Sequence, residues 1–379
     1  MRRTNRQGWA SLVSAVLTAG ALLCSSLGGH AAPGSVPLWF SLSVVAFPVA
    51  AALAALAAVV ALLRRHWPSV AVLIGALLLC APTLSVVMPL HLTGSAPGDK
   101  SIKVLTLNTE NFKQAQQWPP NVTLDYILDS EADVVMLQEI THDGWGLPRE
   151  LSDTTFSPSQ LARLDSIYPY RSHDNDDVGI FSRYPYTRVE IARAQVGFDM
   201  VDYFGTMEHH FAVAYDVHLP GGQQLRMVNV HLESWHFSRR QRGLLGGQVT
   251  DELDALPGSR AYGLSTSELI RRSYVMRAHE AAAVRQAIDD SPENVVVCGD
   301  FNDVPGSWTY RTVRGSDLRD AWADAGLGYA HTFNKYRFLV RIDHILYRGQ
   351  LRAAAMRRDQ AAASDHYPQI ATFEFTTPP

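Results

Sequence analysis

Six apolar runs in this chain lead into, or lie beside, side chains that could do chemistry. Leu105-Thr106-Leu107 runs into Asn108 and Glu110, and Val134–Leu137 into Gln138 and Glu139. Val228-Asn229-Val230 is followed by His231, and Val295–Cys298 by Gly299-Asp300-Phe301-Asn302. Arg341-Ile342 precedes Asp343-His344, and Ser364 precedes Asp365-His366. The expected place for these groups is the carboxyl ends of β-strands, where open α/β sheets bind ligands. Hard oxygen donors such as Glu139 and Asp300 favour Mg2+ or Mn2+ over zinc. A histidine among carboxylates suits general acid–base work, and asparagine amides suit hydrogen bonding to a charged oxygen. Metal, base and donors together can activate a water and stabilise a phosphoryl transition state. Any one of these residues alone reads as a cap or loop residue; the joint set carries the chemistry.

The elements that must position them follow from the apolar patterning. Ile102–Leu107, Val134–Leu137, Gly179–Ser182, Phe211–Val217, Leu225–Val230, Asn294–Cys298, Arg341–Tyr347 and Ile370–Phe375 predict strands. Leu124–Ser130 and Val275–Asp289 predict helices. Mixed strands and helices over residues 102–379 predict one layered α/β or α+β domain. Trp235–Tyr274 is polar, rich in Arg and interrupted by glycines. It reads as an insertion between two strands, either a functional lid or a solvated loop. Asp174-Asn175-Asp176-Asp177 lacks EF-hand spacing and reads as a solvated loop, while His209, His210 and His218 match no motif. Cys298 is the lone cysteine of this domain and is expected to be a buried strand residue.

The first 93 residues have a different composition. They carry Arg2, Arg3, Arg6, Arg64 and Arg65 and no acidic residue. All 37 acidic residues lie beyond, with the other 28 of the 33 basic ones. The chain of net charge −4 thus divides into a +5 segment and a −9 domain. That asymmetry excludes a simple soluble enzyme, and the long aqueous domain excludes a polytopic transporter. A bilayer core of roughly 30 Å needs about 20 apolar residues. Trp9–Leu27, Leu38–Leu63 and Val70–Leu92 qualify, which predicts three transmembrane helices in a 1–93 anchor and a short linker at 94–101. A cleaved signal peptide at Ala31-Ala32 is the lesser reading of the first span. Arginines at the N-terminus and at 64–65, and none in the loop 28–37, place the N-terminus in the cytoplasm and residue 94 onward outside. Membrane and lipid are the expected partners. Nucleic acid is the weaker expectation, because a polyanion binder usually leaves a basic footprint.

In order and spacing, Leu107-Asn108, Gln138-Glu139, Asn229-Val230-His231-Leu232, Gly299-Asp300-Phe301-Asn302, Ile342-Asp343-His344 and Ser364-Asp365-His366 resemble the motifs of the endonuclease/exonuclease/phosphatase superfamily. Its members include DNases, abasic-site nucleases, sphingomyelinases and inositol-polyphosphate phosphatases. Gly179–Pro185 also matches a family stretch. The resemblance spans 105–366 and implies a DNase-like four-layer α/β sandwich, two packed β-sheets flanked by helices, that hydrolyses phosphoesters with Mg2+ or Mn2+. It implies Glu139 as metal ligand, Asn108 at metal and phosphate, and Asp365 as a secondary metal ligand. Glu110 stands where some members have an acidic ligand. Asp300 would orient or deprotonate the attacking water, Asn302 and His231 would contact the phosphate or leaving group, and His366 would be the catalytic histidine oriented by Asp343. Whether Asp300 or His366 takes the proton stays open. Cys298–Tyr310, Asp320-Ala321-Trp322 and Arg341–His344 are similar to the membrane-anchored bacterial branch that includes VanJ-type teicoplanin-resistance proteins. That likeness implies lipid-linked phosphates of the cell envelope as substrates, with an extracytoplasmic DNase or a sphingomyelinase-like phospholipase as alternatives.

Overall fold

The computed structural model describes residues 2–91, 98, 101–110, 112, 120–140, 156–172, 178–189, 191, 211–235, 266–335, 338–360 and 364–376. Most of the linker 94–101, the loop 174–177, His209, His210 and the insertion from 236 to 265 lie outside the described residues.

Two six-stranded sheets form the centre of the domain that follows the apolar helices. One runs β11 (Leu351–Arg358), β12 (Gln369–Phe375), β1 (Ser101–Asn108), β2 (Val134–Gln138), β4 (Val178–Ser182), β3 (Tyr170–Ser172). The other runs β5 (Tyr186–Val189), β6 (Ala212–His218), β7 (Gln224–His231), β8 (Val295–Asp300), β10 (Asp343–Arg348), β9 (Arg319–Asp320). Each sheet holds one parallel pair at its middle, β1 with β2 and β7 with β8, so those strands end at the same edge. Side chains alternate along each strand. Val104, Met136, Ile180, Met227 and Cys298 therefore fill the space between the sheets. Leu105, Val135 and Leu137 pack outward against Leu124, Ile127 and Leu164 of the helices Val122–Asp129 and Pro158–Ile167. Val228, Val295 and Val297 pack outward against Ala281, Val284 and Ile288 of the helix Thr266–Asp289. Strands covered on both faces explain why they read as nearly unbroken apolar runs. The four-layer sandwich implied by the sequence is the fold observed. Cys298 is fully buried, as expected. Asn121 caps the helix Val122–Asp129, its Oδ1 accepting from the Leu124 N–H at 3.0 Å.

The anchor departs from the expectation of three unbroken helices. Helix α1 (Arg2–Gly28) contains the first span. The second apolar stretch, Leu38–Leu63, is one helical path of 26 residues, with a short 3-10 turn at Ser43–Ala46 between α2 (Leu38–Leu42) and α3 (Phe47–Leu63). The third stretch is broken into α4 (Trp67–Leu79) and α5 (Ala81–Val87), bent by 64°. Pro82 lies in the first turn of α5. It has no N–H to donate, and its ring displaces the carbonyl four residues back, which breaks the helix at Cys80. Two helices are thus long and apolar enough to cross a membrane, and three spans result only if the bent pair is one of them.

The N-terminal helices pack on the two-sheet domain. Val44, nearly fully buried, lies in one cluster with Val304, Val340 and Ile342. Arg341, buried and paired with Asp320 at 3.1 Å, donates to the Val86 carbonyl at the end of α5 at 3.0 Å. The Gly328 N–H donates to the Pro89 carbonyl at 2.6 Å. Gly29 lies so close to the catalytic domain that a Cβ there would stand 1.8 Å from the Gly306 carbonyl oxygen. Backbone cannot swing aside as a side chain can. Gly29→Ala is therefore expected to cost about 1–3 kcal/mol, in the range of core overpacking. Thermal unfolding of the detergent-solubilised chain should show a lowered midpoint; an unchanged one would mean that this contact does not form.

Candidate active site

The four strand ends at the middle of the two sheets carry the first half of the site. Asn108 ends β1, Gln138 and Glu139 end β2, His231 ends β7 and Asp300 ends β8. His231 and Asp300 face each other in register on the parallel pair. Gly299 makes that approach possible. Its φ is +137°, and a Cβ would stand 1.9 Å from the Val230 carbonyl oxygen. The second half enters from the opposite chain direction, which corrects the expectation that every group sits at a strand's carboxyl end. Asp343 begins β10 and pairs with Asp300 across an antiparallel ladder, and His366 precedes β12. Starts of antiparallel strands and ends of parallel ones fall on one edge of the sheets, so all these groups meet there.

The hydrogen bonds are specific. The Asn108 amide donates from Nδ2 to Glu139 Oε1 at 3.0 Å and to Asp300 Oδ2 at 3.2 Å. Its Oδ1 accepts from the Glu110 N–H at 3.0 Å. His231 Nε2 stands 3.9 Å from both Glu139 Oε1 and Asp300 Oδ2. His366 Nδ1 bonds Asp343 Oδ2 at 2.8 Å, and its Nε2 faces Asp300 Oδ2 at 3.6 Å. Ser364 Oγ joins the two halves, accepting from the His366 N–H and donating to the Asn108 carbonyl. The Asn302 N–H donates to Asp300 Oδ1 at 2.8 Å, while the Asn302 side-chain NH2 is engaged by the Leu232 carbonyl at 2.8 Å. Glu110, Glu139 and Asn302 all hold left-handed backbone, with φ near +50°. Such conformations cost of order 1–3 kcal/mol each and persist where the surroundings impose them.

Electrostatics separate the two titrating groups. Burial pushes the Asp300 carboxyl up, the His366 charge pulls it back and Asp343 raises it again, leaving it at about 6. Burial opposes the His366 cation, yet Asp343 and Asp300 outweigh that cost and hold its ring well above the ordinary histidine range. His344, next to Asp343 in sequence, lies on the other face. It is packed between Phe301 and Tyr310, and burial pushes its pKa down to about 4, so it is a neutral core group.

Asp300, Asp343 and His366 place one ligand atom each within 4.8 Å of one another, a buried group that could hold a metal. Within it, Asp343 Oδ2 and His366 Nδ1 are bonded to each other, while Asp343 Oδ1 is buried without a hydrogen-bond partner. Glu139 offers the better oxygen donor. Its side chain is 31% exposed, with Asn108 and Asp300 beside it. Hard oxygen donors in a carboxylate-rich edge fit a divalent cation.

Gln138 and Asn229 have another task. Both are fully buried between the sheets. Gln138 Nε2 donates to Asn229 Oδ1 at 2.6 Å, and Asn229 Nδ2 donates to the carbonyls of Leu137 at 2.9 Å and Gly179 at 2.8 Å. This polar tie lies directly beneath Glu139 and His231. Sequence reasoning missed three further residues. Trp235 Nε1 donates to the Asn302 carbonyl at 2.9 Å, as does Arg277 Nη1, whose guanidinium lies 4.5 Å over the Trp235 ring. Lys335 Nζ stands 2.6 Å from Glu110 Oε1 and 3.4 Å from Asp365 Oδ2. The one available signal was that Lys335 is among only four lysines in the chain.

The family model of the Endonuclease/Exonuclease/phosphatase family matches residues 105–366. The chain belongs to this family. Family members are phosphoester hydrolases and generally use a divalent metal ion. Among solved structures, the chain is similar to the endonuclease/exonuclease/phosphatase from Beutenbergia cavernae, with 17% identity over 73% of this chain and 72% of that one and a TM-score of 0.45. Sphingomyelinase C from Streptomyces griseocarneus shows 18% identity over 73% of this chain and 99% of that one, TM-score 0.44. The human Nocturnin catalytic domain with bound sulfate shows 15% identity over 73% and 94%, TM-score 0.44. No curated protein matches the chain.

Removing the tie beneath the site tests its role. Asn229→Ala leaves the Gln138 amide with its 3.2 Å bond to Thr106 alone and takes a donor from the Leu137 and Gly179 carbonyls, at about 1–3 kcal/mol for each buried group left unpaired. Chemical denaturation should report that loss. Activity should fall as well, because Glu139 follows the untied Gln138; full activity in a destabilised variant would show that the tie serves the core alone.

Proposed function

We propose that this protein is a membrane-anchored phosphohydrolase that cleaves phosphodiester or pyrophosphate bonds of lipid-linked envelope substrates. The reaction takes place at the outer face of the membrane, with Mg2+ or Mn2+ at Glu139. The observation that carries this reading is the packing of the anchor against the site's own scaffold. Val44 lies in one apolar cluster with Val304 and Ile342, and Ile342 adjoins Asp343. A site held this close to the bilayer suits a headgroup that never leaves it. The turn after α1 and the end of α5 both meet the catalytic domain, whereas Arg64 and Arg65 lie at the turn between α3 and α4. With arginines on the cytoplasmic side, the catalytic domain lies outside. The likeness to VanJ-type proteins favours an isoprenyl pyrophosphate and a part in glycopeptide resistance. The −9 charge of residues 94–379 offers no overall basic footprint for nucleic acid.

In this reading Glu139 would hold the cation, which would supply positive charge for the phosphate oxygens. Asp300, ionised above about pH 6, takes the proton of the attacking water. His366, kept cationic by Asp343, cannot act as that base; it donates to the phosphate oxygen on which charge develops. His231, beside Glu139 and Asp300, faces the phosphate or the leaving group. Asn108 holds the two carboxylates in place.

Because the base works only when ionised, activity should rise with pH and level off above about 6. A cation at Glu139 would move that limb lower. Asp300→Asn should lose about 10²–10⁴-fold in turnover, the usual worth of a general base, and His366→Gln a comparable amount. The deciding assay offers the full chain in detergent a panel of phospholipids, polyprenyl pyrophosphate and DNA, each with Mg2+ or with a chelator. Cleavage of DNA alone would sink the lipid reading, and full activity in the chelator would sink the metal. A reporter fused after Pro379 that is active only in the cytoplasm would overturn the orientation.

A further inference from the structure

Glu110 and Asp365 do not stand open to solvent. They converge on Lys335, whose Nζ lies 2.6 Å from Glu110 Oε1 and 3.4 Å from Asp365 Oδ2. The backbone at both positions is held by neighbouring bonds. Glu110 sits in left-handed backbone with its N–H on Asn108 Oδ1. Asp365 is flanked by Ser364, which bonds the Asn108 carbonyl, and by His366. Two oxygen donors held on one point are what a hard cation needs. Here a cation is already present, covalently part of the chain. An ammonium group is compact and spherical in its charge, unlike the planar guanidinium that this chain uses at nearly every other basic position. Lys335 is itself anchored beside the site. Phe333 stacks edge-on against His366 at 5.3 Å, and the Asn334 N–H donates to the Asp365 carbonyl at 2.9 Å. Burial weakens the ammonium, but Asp365 and Glu110 more than compensate and hold it charged.

We infer that Lys335 is a built-in cation: its ammonium group fills the position between Glu110 and Asp365, so that the site takes one divalent ion per chain and not two. This inference rests on the proposed cation at Glu139 for its count of one, but not for the exchange at Lys335. It revises the expectation that Glu110 and Asp365 serve as metal ligands, since Glu110 Oε1 and Asp365 Oδ2 both face the lysine.

The test is a Mn2+ titration of the full chain in detergent without substrate, with free Mn2+ followed by electron paramagnetic resonance. The wild type should bind one ion and Lys335→Met two, the added one weaker. Lys335→Met combined with Glu110→Gln should return to one. Circular dichroism checks that each variant is folded. Equal counts in the wild type and folded Lys335→Met overturn the inference, whatever that count is, and so do two ions in the wild type. No ion in the wild type but one in Lys335→Met supports the built-in cation and overturns the cation at Glu139. Loss of the wild-type ion in Glu139→Gln separates the two positions.

Discussion

One buried polar contact governs the geometry of this enzyme. The Gln138 and Asn229 amides bridge the two sheets in the plane just below the site. Apolar packing alone is tolerant of sliding, because hydrophobic attraction has no direction. Hydrogen bonds between fully buried amides do have direction, and breaking them leaves unpaired groups in a low-dielectric core. The tie therefore fixes how β2 sits against β7. Glu139 and His231 each follow the tied residue by no more than two positions, so their separation is set by it. Asp300 and Asn108 are then brought in by the parallel ladders of β8 and β1.

A second layer of constraint surrounds that tie. Three residues at the site hold left-handed backbone, and Gly299 holds a conformation that other residues rarely adopt. The Asn302 turn is braced through its carbonyl by Trp235 and Arg277. Strain of this kind survives only when several contacts enforce it. The anchor is one of those supports. Val44 and the Val86 carbonyl bear on Val304, Ile342 and Arg341, which lead directly into the Asp300–Asn302 and Asp343 segments. The N-terminal helices and the active-site geometry are thus one mechanical unit.

Much of this was legible in the sequence. Eight strands were read at nearly their observed positions, since strands buried on both faces leave unbroken apolar runs, whereas the edge strand Leu351–Arg358, with arginines at three of its eight positions, was not. Short edge strands such as Tyr170–Ser172 and Tyr186–Val189 escaped, because they are only partly buried and polar side chains interrupt them. The residues Asn108, Glu139, His231, Asp300, Asp343 and His366 do come together. Asn302 joins them through its backbone, with its side chain turned to Leu232. Gln138 and Asn229 belong to the motif strings and form the foundation beneath the site. Pro82 lies within the third apolar stretch, but whether a proline kinks a helix slightly or breaks it depends on what packs around it.

Composition and motif order by themselves determined an apolar, basic anchor, an acidic α/β domain and the ordered set of carboxylates, amides and histidines. These are local properties, written in residue type and period. The tertiary structure decided what no local pattern carries. It set which strand starts meet which strand ends, as Asp343 meets Asp300, and it set Asp300 and His366 at different protonation by burying them side by side. It also decided that Lys335, 225 positions from Glu110, closes on that carboxylate. The physical reason is the same in each case. Charge, burial and hydrogen-bond partners act through space over a few ångströms, and only folding makes distant residues neighbours.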